Sequence, residues 1–295
     1  VTLPATEAVS ARFDGLDTWN SPAILAAFLE GQMAAVAAVQ PALPAIAAAA
    51  EAAALRLADG GRLAYAGAGT SGRIGVQDGA ELPPTFDWPQ ERLLLLMAGG
   101  DAAFTRSIEN AEDDRDAAVA ATQGLGPADV VIGVAASGTT PFTIACLQAA
   151  RAAGALTIAI ANSPATPLLA AAEHPILAET GPEVISGSTR MKAGTAQKVV
   201  LNLFSSLLMV RLGRVYRGQM VDMLARNDKL RRRAERMLMG LTGQAIGPVQ
   251  DALRATGGRV KPAILVLRGL DAGEAEALLA RHRGALREAL ATLGE

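Results

Sequence analysis

Five short apolar runs recur through the middle of the chain, at residues 63–66, 93–97, 130–134, 156–160 and 176–178, separated by helix-compatible stretches at 72–80, 104–110, 115–123, 141–153 and 164–172. Runs this short, without polar alternation, suit strands buried on both faces. Strands that alternate with helices imply a parallel sheet with helices on both faces, an α/β fold.

The flanks have a different period. Residues 6–59 read as helices, with Asn20-Ser21-Pro22 as a start signal and Gly60-Gly61 as a stop. Residues 193–212 form a helix so apolar that it must be buried, against the sheet or a partner subunit. Beyond about Gly218 the charge rises. The stretch Asn227 to Arg236 sets basic and apolar residues at helical intervals, which a solvated helix face explains better than nucleic-acid contact. The expected division is an amino-terminal helical arm at 1–59, an α/β domain at 60–217 and a small helical C-terminal module at 218–295.

Two loops carry the first chemical signal. GAGTSGR, Gly67 to Arg73, follows the first apolar run and opens a helix; Ala135-Ala-Ser-Gly-Thr-Thr-Pro141 repeats this arrangement after the third. In such turns glycine lets the backbone approach a ligand, the unpaired amides of the following helix point at it, and Thr70, Ser71, Ser137 and Thr140 add hydroxyls. Glycine, serine and threonine also serve simply as turn and capping residues. Two copies facing one sheet edge favour a phosphate or similar anion as ligand.

Composition removes several classes. At 295 residues and 51% hydrophobic the chain can bury a full core. A net charge of -2 and 3% aromatic residues argue against a nucleic-acid surface. No stretch reaches about 18 uninterrupted apolar residues, and Val-Thr-Leu-Pro at the start lacks a leader's pattern, so no membrane span and a cytoplasmic location are expected. The single Cys146 reads as a core thiol. His174 and His282 stand alone, so neither metal nor cofactor is expected.

Acid–base work then falls to carboxylates. Glu81 lies near a helix end stiffened by Pro83-Pro84, where its carboxyl could be partly dehydrated. Glu112 sits among Glu109, Asp113 and Asp114, where mutual repulsion could act, although Asp113 or Asp114 could equally start a helix. A fifth polar segment, Gly181 to Lys192, offers hydroxyls and cations.

GAGTSGR, DGAELPPT, AGGDAAFTRSIENAEDD, AASGTTP and above all GPEVISGSTRMKAGTAQK resemble the bacterial N-acetylmuramic acid 6-phosphate etherases, of the sugar isomerase (SIS) superfamily. The resemblance runs from Thr6-Glu7 to the C-terminal tail. It implies a three-layer α/β/α domain with a five-stranded parallel sheet. It also implies cleavage of a D-lactyl ether by elimination then hydration, without metal, in a cytoplasmic homodimer that recycles cell-wall amino sugar. By the same resemblance Glu81 is the acid and Glu112 the base, roles that could exchange between the two steps. Thr70, Ser71, Ser137 and Thr140 hold the phosphate, and Ser188, Thr189 and Lys192 close the site. Arg190 could instead be an interface residue. Where the family carries Arg-Asn-Pro after Thr-Glu, this chain has Ala8-Val9-Ser10.

The main rival is a non-enzymatic sugar-phosphate-sensing regulator of the same superfamily; both glutamates favour an enzyme. A transcription factor would need a basic recognition helix ahead of the sheet, and the first helices offer none. An aldose-ketose isomerase would release no lactate.

Overall fold

Asn20 accepts a hydrogen bond from the Ala23 amide (2.9 Å) and Pro22 occupies the first turn, so α1 (Ser21–Ala37) begins where its capping signal stands. The computed structural model describes residues 4–225 and 227–294. The first three residues, part of the start on which the expectation of no leader rests, lie outside the described residues, as do Arg226 and Glu295. The chain divides into two compact units, Val1–Ala80 with Glu91–Leu207, and Glu81–Gln90 with Leu208–Glu295.

Along the chain α2 (Leu43–Leu57) precedes β1 (Leu63–Gly67), α3 (Gly69–Phe86), β2 (Leu93–Met97), α4 (Arg115–Ala121) and β3 (Val130–Val134). Then come α5 (Pro141–Ala152), β4 (Leu156–Ala161), α6 (Pro167–Ala171), β5 (His174–Leu177) and α7 (Lys192–Arg211). The strands form one parallel sheet of order β2-β1-β3-β4-β5. One face meets α2 and α3; a Cβ on Gly79 of α3 would lie 3.0 Å from the Tyr65 ring, so glycine permits that close approach. The other face, including Ala64, Ala66, Val131 and Ala159, is covered by α5 and α6, with α4 packed on α5.

Two expectations need correction. No α-helix forms over 104–110: Gly99 and Gly100 take positive φ, a 3-10 turn covers Asp101–Phe104, and Asn110 is left-handed at φ 58°. The chain there folds back over the strand ends instead of propagating a helix. Next, α3 does not stop before Pro83-Pro84 but runs to Phe86. Each proline leaves the carbonyl four residues back without its helical donor; for Pro84 that carbonyl belongs to exposed Ala80, where water can replace the donor. Two stretches, Ser21–Leu57 and Lys192–Arg211, are long and apolar enough to cross a membrane by length and composition alone, a test that buried core helices also pass. The first is interrupted by a 3-10 turn at Gln40–Ala42, and the second buries Val200, Leu201 and Phe204 completely.

The second unit contains an antiparallel hairpin, β6 (Val215–Tyr216) with β7 (Gln219–Met220), then α8 (Asp228–Thr242), α9 (Ile246–Ala255), α10 (Val260–Val266), α11 (Ala272–Arg281) and α12 (Leu286–Ala291). These helices share a core that includes Leu238, Val249, Leu265 and Leu278. Asp271 and Glu274 form a capping box at the start of α11.

Candidate functional site

Strand order reverses between β1 and β3, and the carboxyl edge beside such a switch point is where open α/β sheets bind ligands. Both hydroxyl loops leave the sheet there. Gly67 and Val134 are register partners, so the loops start on neighbouring strands about 5 Å apart.

Thr70 and Ser71 lie half-buried in the first turn of α3. In the second loop Ser137 Oγ is 2.9 Å from Thr139 Oγ1 and accepts from the Thr139 amide at 3.3 Å. Half-buried Thr140 stands at the N-cap of α5, but its hydroxyl makes no capping bond. Gly138 is left-handed at φ 68°, and a Cβ there would sit 2.3 Å from Thr166 Oγ1, so this position requires glycine.

Arg73 ties the next loop down: its Nε donates to Ala103 O at 3.0 Å and its Nη2 to Arg106 O at 3.1 Å. Beneath lies a cavity of about 170 Å³ lined in part by Gly69, Arg73, Arg106, Ser107, Glu109 and Glu112. The structure thus brings Glu112 and the first loop together. Within the acidic cluster, Asp114 caps α4 through the Ala117 amide (2.8 Å), whereas Glu112 faces the cavity from an exposed 3-10 turn. Glu81 is exposed on α3 and belongs to the second compact unit.

The third segment also reaches the first loop. A Cβ on Gly194 would lie 3.3 Å from Thr189 O and 3.6 Å from Thr70 Cγ2. Ser188 and Thr189 are half-buried and Arg190 is exposed. Lys192 Nζ donates to Pro182 O at 2.8 Å. The amides of Lys192 and Ala193 donate to buried Glu183, at 2.9 Å to Oε2 and 3.0 Å to Oε1, so an internal carboxylate fills the N-terminus of α7. From the amino terminus, buried Thr6 sets its amide 3.4 Å and its hydroxyl 3.3 Å from Ser163 Oγ, just beyond β4.

Asp78 is the other buried acid. It accepts from Tyr65 Oη (2.9 Å), Asn202 Nδ2 (2.6 Å) and Ser205 Oγ (3.1 Å). Burial pushes its carboxyl above the usual 3.8, against those hydrogen bonds and Lys198. Burial, with Asp78 beside it, also drives the Tyr65 hydroxyl well above 10.0. Cys146 is buried, its thiol pushed up to about 12 by desolvation. Among the described residues no three histidine, cysteine, aspartate or glutamate side chains cluster as a metal centre.

Sequence reading did not single out Arg73, Glu183, Asp78 or Ser163 for these roles. For Arg73 the signal was present, an arginine closing a glycine-rich motif. The partners of the others lie too far away in sequence to suggest the contact.

Parallel order, switch-point loops and a polar cavity at the carboxyl edge define an α/β domain built to take a small polar ligand at that edge. The SIS domain model matches residues 106–207, and that of the glucokinase regulatory protein N-terminal SIS domain matches 45–151. The fold is shared with a putative phosphosugar isomerase from Bacteroides fragilis, with a TM-score of 0.50 and 20% identity over 62% of this chain and 86% of that one. The chain is 51% identical over 97% of its length to an N-acetylmuramic acid 6-phosphate etherase of Deinococcus radiodurans, and 49% over 99% to one of Streptomyces avermitilis, covering 94% of each relative. It belongs to the N-acetylmuramic acid 6-phosphate etherase family.

Proposed function

We propose that the protein cleaves the D-lactyl ether of N-acetylmuramic acid 6-phosphate with water, giving N-acetylglucosamine 6-phosphate and D-lactate, in cytoplasmic recycling of cell-wall amino sugar. The observation that carries this reading is Glu112 lining the cavity beside Gly69, next to the switch-point loops, in a chain of this family. The sugar-phosphate domain is 60–217, with residues 1–59 as its arm and 218–295 as a C-terminal module.

The phosphate sits at the N-termini of α3 and α5, held by Thr70, Ser71, Ser137 and Thr140. An ether oxygen leaves poorly by direct displacement. Opening the sugar ring exposes an aldehyde that acidifies the proton on carbon 2. Glu112 removes that proton; the electron pair forms the carbon 2–carbon 3 double bond as the carbon 3–oxygen bond breaks, and Glu81 protonates the departing lactate oxygen. Water then adds at carbon 3 and a proton returns to carbon 2, so the overall reaction needs no oxidant, and the first step is that of a carbon–oxygen lyase. An exchange of acid and base roles between the two steps is the alternative assignment. Ser188, Thr189 and Lys192 close the site.

A homodimer is supported by α1, whose small residues Ala27, Gly31 and Ala35 face inward while Leu25, Leu29, Met33 and Val36 are exposed. A monomeric mass by light scattering at micromolar concentration refutes it. For the reaction, D-lactate release is measured with chelator present, for wild type, Glu81→Gln and Glu112→Gln. Each substitution lowers the rate by at least about 100-fold. No release by the wild type, with sugar phosphate still bound in calorimetry, makes the protein a sensor and turns attention to Ala8-Val9-Ser10.

A further inference from the structure

The second compact unit holds a cavity of about 330 Å³ that the reaction above does not use. Its wall carries four cations, Arg214, Arg259, Lys261 and Arg283, against two carboxylates, Asp87 and Asp222. The side chain of Lys261 is only 5% exposed, and its Nζ donates to Asp222 Oδ2 and to Gly284 O, both at 2.7 Å. The same Asp222 oxygen lies 3.5 Å from Arg214 Nη1. Arg214 is itself fixed, donating to Phe86 O at 2.7 Å with its guanidinium over the Trp88 ring, 5.2 Å from the centroid. One carboxylate therefore serves two cations, in a place where burial makes uncompensated charge costly.

Burial lowers the proton affinity of Lys261 below the usual 10.5, Asp222 partly restores it, and Arg214 lowers it further. An added anion would relieve that deficit. Arg283, on the same wall, has a left-handed backbone at φ 51°. Its neighbour Gly284 supplies the carbonyl that Lys261 binds. Arg259 is committed to Glu276. The volume falls at the small end of the range for organic ligands, about 300–1,000 Å³.

We propose that this cavity is a second anion site, taking a small metabolite through its phosphate or carboxylate group, with Lys261, Arg214 and Arg283 as the cationic contacts. All of its lining residues belong to the second compact unit, and neither Glu81 nor Glu112 is among them.

The test uses the full chain, in calorimetry and thermal-shift titrations with inorganic phosphate and with D-lactate. Wild type is compared with Lys261→Met, which keeps the buried stem, and Arg283→Gly, which suits the backbone and removes an exposed side chain. At least one probe binds wild type, and both variants weaken that binding by roughly tenfold, as loss of a charge-assisted contact requires. Their lactate-releasing activity without added anion stays unchanged. If only the phosphate response is weakened by both variants, the ligand class is a phosphate ester; if only the lactate response is weakened, it is a carboxylate. Equal affinity in wild type and Arg283→Gly overturns the proposal, as does wild type binding neither probe at millimolar concentration. If Lys261→Met fails to fold, Arg283→Gly decides.

Discussion

Asp78 joins β1, α3 and α7 through one carboxylate, and its removal has a cost that can be worked out. In Asp78→Ala the hydroxyls of Tyr65 and Ser205, on side chains 2% and 4% exposed, lose their acceptor. Each buried donor left unpaired costs about 1–3 kcal/mol. The Asn202 amide belongs to an exposed residue and can turn to water, so it adds little. The expected loss is about 3 kcal/mol, or about 1 M in the urea midpoint for a chain whose m-value is about 3 kcal/mol/M. Asp78→Asn is the control: its amide supplies an acceptor for one donor and a donor to a hydroxyl that can rotate, and it carries no buried charge. It should match or exceed wild type at neutral pH. The sign with pH follows from the raised folded pKa, because the native state then binds the proton more tightly than the unfolded chain. Wild type therefore gains relative to Asp78→Asn as pH falls through the folded value towards 3.8, and the difference levels off below that. Urea unfolding followed by circular dichroism at several pH values reads both effects. A gap between the alanine and asparagine variants under about 0.5 kcal/mol refutes the hydrogen-bond argument, and a difference that widens on acidification refutes burial as the cause.

Gly138→Ala should cost about 1–2 kcal/mol for its left-handed backbone, plus the collision with buried Thr166, and should weaken sugar-phosphate binding; an unaltered unfolding midpoint contradicts this. Glu183→Ala strips the cap from two amides of α7 and should cost about 1–2 kcal/mol, with Glu183→Gln losing less; equal stability of the two variants speaks against the cap. Cys146, its thiol pushed up to about 12, should stay unlabelled by a disulfide reagent in the native protein and react only after unfolding; fast stoichiometric labelling of folded protein contradicts its burial.

The inner strands β1, β3 and β4 were legible because strands buried along their whole length must be apolar at nearly every position, and such runs stand out without any partner in view; the edge strands β2 and β5 are only partly buried, and β5 shows the shortest run. All five lie within two residues of the runs that announced them. Failures came where glycine-like backbone hid behind other residues. The β6–β7 hairpin turns on Arg217 and Gly218, both left-handed at φ 47° and 73°, the backbone that two-residue hairpin loops favour. Asparagine or aspartate before glycine would have signalled it; arginine did not. Asn110, left-handed at φ 58°, closes the non-helical stretch 105–110 in a turn that its sequence did not announce.

The site divides along a similar line, between groups that act through their own backbone and groups defined by a distant partner. Thr70, Ser71, Ser137 and Thr140 sit where a strand becomes a helix, so their position at the carboxyl edge follows from local order. Thr6 and Ser163 are 157 residues apart, and Asp78 and Asn202 are 124 apart; only the packing of layers brings them together. Glu183 changes what the third segment can do. A cap is sought immediately before a helix, but α7 takes its cap from nine residues upstream, and its two leading amides are thereby spent. Lys192 Nζ is likewise held by Pro182 O. Of the three helices that follow hydroxyl-bearing segments, α3 and α5 have no internal carboxylate on their first amides among the described residues, whereas a dianionic phosphate brought to α7 would meet Glu183 instead of open amides. The proposed phosphate contacts therefore fall to the two switch-point loops, and the hydroxyls proposed from Ser188 and Thr189 stand just ahead of a helix whose first amides are already taken by Glu183.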